Sequence, residues 1–417
     1  MKIFNINFNL IMASQIFNLF AGVLFNVALI SYVYSTTTTV SGATLVLVVS
    51  TLGSIIGGFI AGSFLDKISH KNVMIFSSFL SFLIMLMLSI TTSVFGLNIF
   101  AIYIVTFLLN VISSFFKPAR QAIVPSIIEK SLLLKANSIL LSTMQIVLTS
   151  SWVVAVPIAS MLGVEMSVYT ISFAYLISGF LIYFIKTSYS EKGLEEQDTI
   201  INQLIKGIKP FRENKTIKSI TIMDMIENLA NIIWVPTFLL AFTVEVLHLN
   251  EEWWGFQGAA YFWGIIIGGL LTAKYSLKIK QLGGKVLIYA SLAVAIVTLV
   301  YGLNSFALLA VIYSFLIGIP SQVRNVIQES LIQEYADRSV LGRVFAVRNI
   351  ILQSIYIIAL VAGSYLADKI GMVNIFLIGA FIYTLVALYA FMSSTIRNFN
   401  LNEKNESSLV RVEKSNG

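Results

Sequence analysis

The sequence predicts an all-α membrane protein of twelve transmembrane helices in two pseudo-symmetric six-helix bundles. Three observations predict it. Charged residues make up 11% of the 417 and hydrophobic residues 57%, whereas a soluble domain is about a quarter charged. So few charges cannot cover a surface facing water, and the apolar side chains must face lipid. Twelve segments are each long and apolar enough to cross a bilayer core, which takes about 20 helical residues. The cationic residues also fall almost entirely on one side of those segments.

The first six spans are read as 8–34, 40–65, 72–94, 97–116, 136–161 and 166–186. The second six are 217–246, 253–275, 285–303, 305–323, 343–366 and 372–394. With the N-terminus inside, the inner connections are 66–71, 117–135, 187–216, 274–284 and 324–342. These, both tails and the abutting helix ends hold every Lys and Arg except Lys369. The outer connections "SYVYSTTTTV", "TTSVFG" and "HLNEEWWG" hold none. This is the positive-inside pattern. It predicts a multi-pass protein of the bacterial cytoplasmic membrane with both termini cytoplasmic. The net charge of +7 then reads as a topology device facing anionic lipid, and no nucleic-acid partner is expected. The apolar segment after Lys2 is too long for a signal-peptide core of about 7–15 residues and reads as a retained first span.

Enzymatic chemistry finds little material. There is no cysteine, and the two histidines, His70 and His248, lie far apart in sequence. No HExxH, phosphate-loop or dinucleotide fingerprint is present. No metal site and no cofactor are expected.

The organisation predicted is a first bundle over 1–186, a cytoplasmic linker over 187–216, a second bundle over 217–395 and a disordered cytoplasmic tail over 396–417. In the linker, Ile200, Ile201, Leu204, Ile205 and Ile208 recur at helical spacing and suggest an amphipathic helix on the inner membrane surface. The halves repeat weakly. Pro118 in "SSFFKPARQAIVPSI" matches Pro320 in "LIGIPSQVRNVIQES", each followed by an arginine and a helix-like segment. Gly57, Gly58 and Gly62 recur loosely as Gly264, Gly268 and Gly269. Two similar sets of six spans are a transporter pattern.

The stretch "GGFIAGSFLDKISHKN" sets charges abruptly after a glycine-rich apolar run. Gly58 and Gly62 are four apart on one face of span two, where small residues admit a neighbouring helix. Asp66, Lys67 and Lys71 follow at the inner interface. Gly62-x-x-x-Asp66-Lys67-x-Ser69-His70-Lys71 resembles the loop signature of the major facilitator superfamily, with Ser69 where glycine and Lys67 where arginine are usual. The resemblance covers all twelve spans and implies that Asp66 docks on the positive N-terminal end of span eleven. Gly58, Gly62, Asp66, Lys67 and Lys71 would then form a conformational latch. The plain alternative is a charged turn obeying positive-inside. "FKPARQAIVPSI", "KANSILLSTMQ" and "DRSVLGRVFAVRN" are similar to the drug-and-siderophore exporter branch, which includes macrolide and enterobactin-type exporters. Span four, read as 97–116, lacks the arginine that many proton-driven exporters carry there. Its main interior polar residue is Asn110.

Polar residues inside spans are costly unless they face a cavity or a partner helix. Those in span one are Gln15, Asn18 and Asn26, and in span five Gln145. Span seven holds Asp224, Glu227, Asn228 and Asn231 at three- and four-residue steps, so they share a face, together with Trp234. Family analogy turns this face into a central cavity lined by spans one, four, seven and ten. Asp224 and Glu227 are the proton-coupling candidates, since a carboxylate in low-dielectric surroundings holds a proton more readily than in water. The competing reading leaves both near the inner interface, solvated or paired with Lys218. The substrate-cavity candidates are Asn18, Asn26, Asn110, Gln145, Asn228, Asn231, Trp234, Gln257, Arg348 and Asn349. Arg348 either faces the cavity, pairs with Asp66 or is an interface arginine. As the one deep cation it inclines the reading toward a neutral or cationic amphiphile. Pro236 is expected to kink span seven.

The function expected is secondary active export of a small amphipathic molecule, either a drug such as a macrolide or a siderophore or metallophore. It would work by alternating access as proton-coupled antiport. The partners expected are that substrate, protons and membrane lipids, with the protein a monomer. An importer or lipid flippase of the same fold, or a non-transporting scaffold or receptor, are the alternatives.

Overall fold

The computed structural model describes residues 4–64, 68–96, 98–129, 132–186, 211, 213–336 and 341–397. Asp66 and Lys67 of the expected latch lie outside them, as do the amphipathic segment of the linker and the tail from 398. The described residues are helical, with no strand among them. The chain divides into two compact units, 1–196 with 250–255, and 197–249 with 256–417.

The N-terminal unit contains α1 (Ile6–Thr37), α2 (Val40–Phe64), α3 (His70–Phe95), α4 (Ile99–Ser113), α5 (Phe116–Ile127) and α6 (Leu133–Tyr183). Asn5 starts α1: its side chain accepts the Phe8 amide at 2.8 Å, satisfying one of the unpaired donors at a helix start. Its own amide donates to Ile127 O at 3.0 Å, fastening α1 to the end of α5. The long α6 holds two predicted spans. Gln15 donates to Leu140 O at 3.0 Å, while the neighbouring Ser14 bonds Ser178 at 2.9 Å. On a straight helix residues 140 and 178 would lie about 57 Å apart at 1.5 Å per residue. Both reach the same turn of α1, so the chain reverses between them. Gly163 makes the reversal, at φ 69° and ψ 176°, a conformation open to glycine and costly for L side chains.

In the C-terminal unit, α7 (Lys215–Asn231), a 3₁₀ turn (Ile232–Trp234), α8 (Pro236–Ala241) and a π turn (Phe242–Val246) together form span seven. They are followed by α9 (Glu251–Lys274), α10 (Ser276–Gly302), α11 (Ala307–Tyr335), α12 (Leu341–Ile370), α13 (Met372–Met392) and the short α14 (Ser394–Arg397). The break in span seven sits at the proline, as predicted. Val235 is extended at φ −76° and ψ 158°, as steric exclusion by the following proline ring requires. Four rings pack beside the break. Trp234, Phe242, Tyr301 and Phe376 have centroids 4.7–5.8 Å apart. Across it, Gly363 and Gly379 make room for Ile232 and Ile233.

Among the described residues, eleven helical segments are long and apolar enough to cross a membrane. The part of α6 before Gly163 carries the predicted fifth span and completes twelve. The two units pack alike internally. Spans three and six touch in the first, as spans nine and twelve do in the second. Span two meets span four at Gly53 and Gly57, and span eight meets span ten at Gly264 and Gly268.

Two predicted boundaries fall short, at matching places. Span four does not end at 116: after a turn at 114–115 it continues as α5 to Ile127. Span ten does not end at 323 but runs to Tyr335. Arg120 and Arg324, read as inner-loop cations, are helical and buried. Another match ties these extensions down. Asn214 caps α7 by accepting from Thr216 and Ile217 at 2.9 and 3.2 Å and donates to Tyr335 O at 3.0 Å, just as Asn5 joins α1 to Ile127. Asn214→Ala removes the cap and this cross-link together. It is expected to cost the unit about 1–2 kcal/mol, read as a lower thermal midpoint of the purified protein.

Candidate functional site

The polar face of α7 is the richest chemistry in the C-terminal unit. Its three- and four-residue spacing places Asp224, Glu227 and Asn231 in line, and each meets a different helix of the same unit. Arg348 on α12 grips Asp224: its Nε donates to Oδ2 at 2.9 Å and its Nη2 lies 2.7 Å from the same oxygen. Arg324 on α11 pairs with Glu227, Nη2 to Oε1 at 2.5 Å. Gln328, one turn further along α11, donates to Glu227 Oε2 at 3.0 Å. The Tyr383 hydroxyl on α13 donates to Asn231 Oδ1 at 2.7 Å, and the Arg324 guanidinium sits 5.6 Å over the Tyr383 ring.

Both carboxylates are 4% exposed and Arg324 is 1% exposed. The Arg324 Nε and Nη1 are buried with no hydrogen-bond partner among the described residues. The ring face beneath them supplies cation–π attraction instead. Two acids and two arginines make the cluster electrically neutral, which is the condition for keeping ions out of water. Each carboxylate thereby ties α7 to a neighbouring helix of the unit.

This replaces the pairing with Lys218 considered from the sequence. Arg348 pairs with Asp224, and its side chain is 15% exposed. Arg348 is also not the one deep cation, since Arg324 and Arg120 are buried more completely. Gln328 was missed altogether. The three- and four-residue steps that mark Arg324, Gln328 and Leu331 as one helical face were the available signal.

Other predicted residues disperse. Gln257 is fully buried; it donates to Thr243 Oγ1 at 2.9 Å and accepts from the Tyr301 hydroxyl. Trp234 belongs to the ring cluster and donates to Thr298 Oγ1 at 3.3 Å. Asn228 is half-buried and Asn349 exposed. Asn110 joins α4 to α2, donating to Ser50 Oγ at 3.2 Å and accepting from Ser54 Oγ at 3.4 Å. Gln145 lies in α6 and Gly62 in α2. Lys71 places its Nζ 5.6 Å over the Tyr183 ring. Among the described residues, no atom beyond its own stretch of helix lies within 4 Å of where a Cβ on Gly58 would stand. The close approach expected of it is made one residue earlier, by Gly57, because each helical step turns the face by about 100°.

The N-terminal unit lines a cavity of about 290 Å³ by itself. Gln15, Asn18, Asn26, Lys117, Arg120 and Tyr175 give it polar groups; Leu19, Val23, Met144 and Leu148 give it apolar walls. Arg120, 4% exposed, donates from Nη1 to Gln15 Oε1. Asn26 donates to Gly22 O at 3.0 Å. Asn18 Nδ2 and Asn26 Oδ1 are buried without hydrogen-bond partners among the described residues. The sequence reading found both asparagines but placed Arg120 in a loop.

The model of the Major Facilitator Superfamily matches residues 11–281. The chain belongs to this superfamily. Among its relatives is the uncharacterized MFS-type transporter YjbB of Bacillus subtilis, 27% identical over 387 residues that cover 93% of this chain and 95% of the relative. Macrolide efflux protein A of Streptococcus pyogenes is 21% identical over 402 residues, 95% of this chain and 98% of the relative. Solved structures of the same fold include a peptide transporter POT in complex with sulfate, with a TM-score of 0.72 at 12% identity, covering 95% of this chain and 96% of that one. The nucleoside transporter NupG follows with a TM-score of 0.64 at 15% identity, covering 93% and 100%. This superfamily member is therefore a multi-pass membrane transporter of a small-molecule substrate, and not an enzyme.

Proposed function

We propose that this transporter exports a small amphipathic molecule across the bacterial cytoplasmic membrane by alternating access, with both termini cytoplasmic and protons moving the opposite way. The observation that carries this reading is the buried neutral quartet Asp224, Glu227, Arg324 and Arg348. Ionisable groups within membrane helices are costly and mark ion or proton pathways. Here they tie the polar face of α7 to α11 and α12. Protonation of Glu227 would discharge the pair with Arg324, and protonation of Asp224 the pair with Arg348. Either step loosens α7 against its neighbours beside a helix already broken at Val235. Loss of the proton would restore the tie. The likeness to a macrolide efflux protein supports the outward direction and a drug-like cargo. A secreted siderophore or metallophore is the other cargo class in view.

Accumulation in inverted vesicles under an imposed pH gradient tests the proposal, screened over macrolides and metallophores. Uptake is expected for one class and is expected to stop when the gradient is collapsed. Uptake indifferent to the gradient would remove the antiport mechanism.

A further inference from the structure

The N-terminal unit repeats the polar cross-link of the C-terminal unit without its carboxylates. Asn5 and Asn214 are matching caps, each bonded to the end of its extended fourth or tenth span. Gln15 stands ten residues after Asn5, as Asp224 stands ten after Asn214. Asn18 and Glu227 each stand thirteen after the same caps. Both units then join their first helix to the extension of the fourth through a buried arginine, Arg120 to Gln15 and Arg324 to Glu227.

The charge balance differs. Arg324 has a carboxylate, whereas Arg120 has a neutral amide. Among the described residues Arg120 makes that one hydrogen bond and no ion pair, although a guanidinium carries five donors. Lys117 lines the same cavity, and no Asp or Glu does so. The amide nitrogen of Asn18, on the same wall, is a buried donor with no acceptor among the described residues. A buried cation calls for a counter-charge, and the space in front of this one is open. At about 30 Å³ per water in the liquid, 290 Å³ admits a compact head group and the start of an apolar body.

We propose that this cavity is a subsite for an anionic head group of the transported molecule, a carboxylate, phosphate or sulfonate. Arg120 and Lys117 hold the oxyanion, Asn18 Nδ2 donates to it, and Leu19 and Val23 take the adjoining apolar part. The proposal rests on the transport reading and narrows its substrate class to acidic amphiphiles. It departs from the neutral or cationic cargo suggested when Arg348 was the only deep cation in view.

The test is binding to the full-length protein in nanodiscs of zwitterionic lipid. The probes are three dansyl-tagged undecyl chains ending in carboxylate, carboxamide or trimethylammonium. The carboxylate is expected to bind at least about ten-fold tighter than the other two. Arg120→Gln and Lys117→Gln are each expected to weaken the carboxylate about ten-fold and leave the carboxamide unchanged. Lys117 is exposed, so its variant keeps the test sound should Arg120→Gln fail to fold. Equal affinity for the three probes, or indifference to Lys117→Gln, overturns the proposal. So does displacement of the carboxylate probe by phosphatidylglycerol added to the discs, which would make this a lipid head-group site. A flux arm in inverted vesicles separates the two readings. Selective carboxylate binding without flux supports the subsite and counts against export. Flux of the trimethylammonium probe alone overturns the subsite and leaves transport standing.

Discussion

Glu227→Leu and Arg324→Leu are each expected to destabilise the C-terminal unit by about 3–5 kcal/mol, because each strands a buried opposite charge. Glu227→Leu leaves a guanidinium that is 1% exposed against the Tyr383 ring, without the carboxylate it pairs with. Arg324→Leu leaves a buried carboxylate that keeps the Gln328 hydrogen bond and loses its counter-charge. The double replacement is expected to cost much less than the sum, since two leucines need no counter-ion. Thermal denaturation of the four proteins in detergent closes this cycle. Transport should separate from stability. The double variant folds but keeps only the Asp224–Arg348 tie, so its gradient-driven uptake is expected to fall well below the parent rate. Uptake at the parent rate would reduce the pair to a structural element and remove it from the coupling mechanism.

The second large effect is steric. A Cβ on Gly57 would stand 2.2 Å from Val111 O, and one on Gly264 2.1 Å from Phe315 O. The obstacles are backbone atoms, so nothing short of separating spans two and four, or eight and ten, makes room. Gly57→Ala and Gly264→Ala are each expected to destabilise by about 1–3 kcal/mol or more, and the leucine variants to fail to accumulate as folded protein. Gly58→Ala, with open space around it, is expected to be neutral or stabilising by up to about 1 kcal/mol. Fluorescence-detected size exclusion after a heating series ranks them. If Gly58→Ala proved the most damaging, the assignment of the contact face of α2 would be wrong.

The architecture was legible because lipid imposes a pattern that survives without detailed packing: long apolar runs, and cations on one side. The same rule misled at Arg120 and Arg324. Counted as markers of inner loops, they cut spans four and ten short. A buried arginine is indistinguishable from a surface one until its partner is known, and Glu227 lies 97 residues before Arg324. The polar face of α7 was legible from its spacing; which helix it faced was not, because periodicity gives a direction only within its own helix. Gly58 was named for a contact that Gly57 makes, since a pair of adjacent glycines does not say which one points at a neighbour. Gln257 read as a binding-wall residue because an amide in a span invites that reading. Thr243 and Tyr301, which absorb it, come from other segments.

The reversal at Gly163 has a practical consequence for anyone inserting a tag into this protein. Spans five and six are joined by a hairpin with almost no slack, so there is little there for a protease to cut or an antibody to grip. An epitope inserted at 163 would have to prise two helices apart to be seen. The Thr38–Thr39 link between the first two helices, polar and partly exposed, is the better place for a reporter tag.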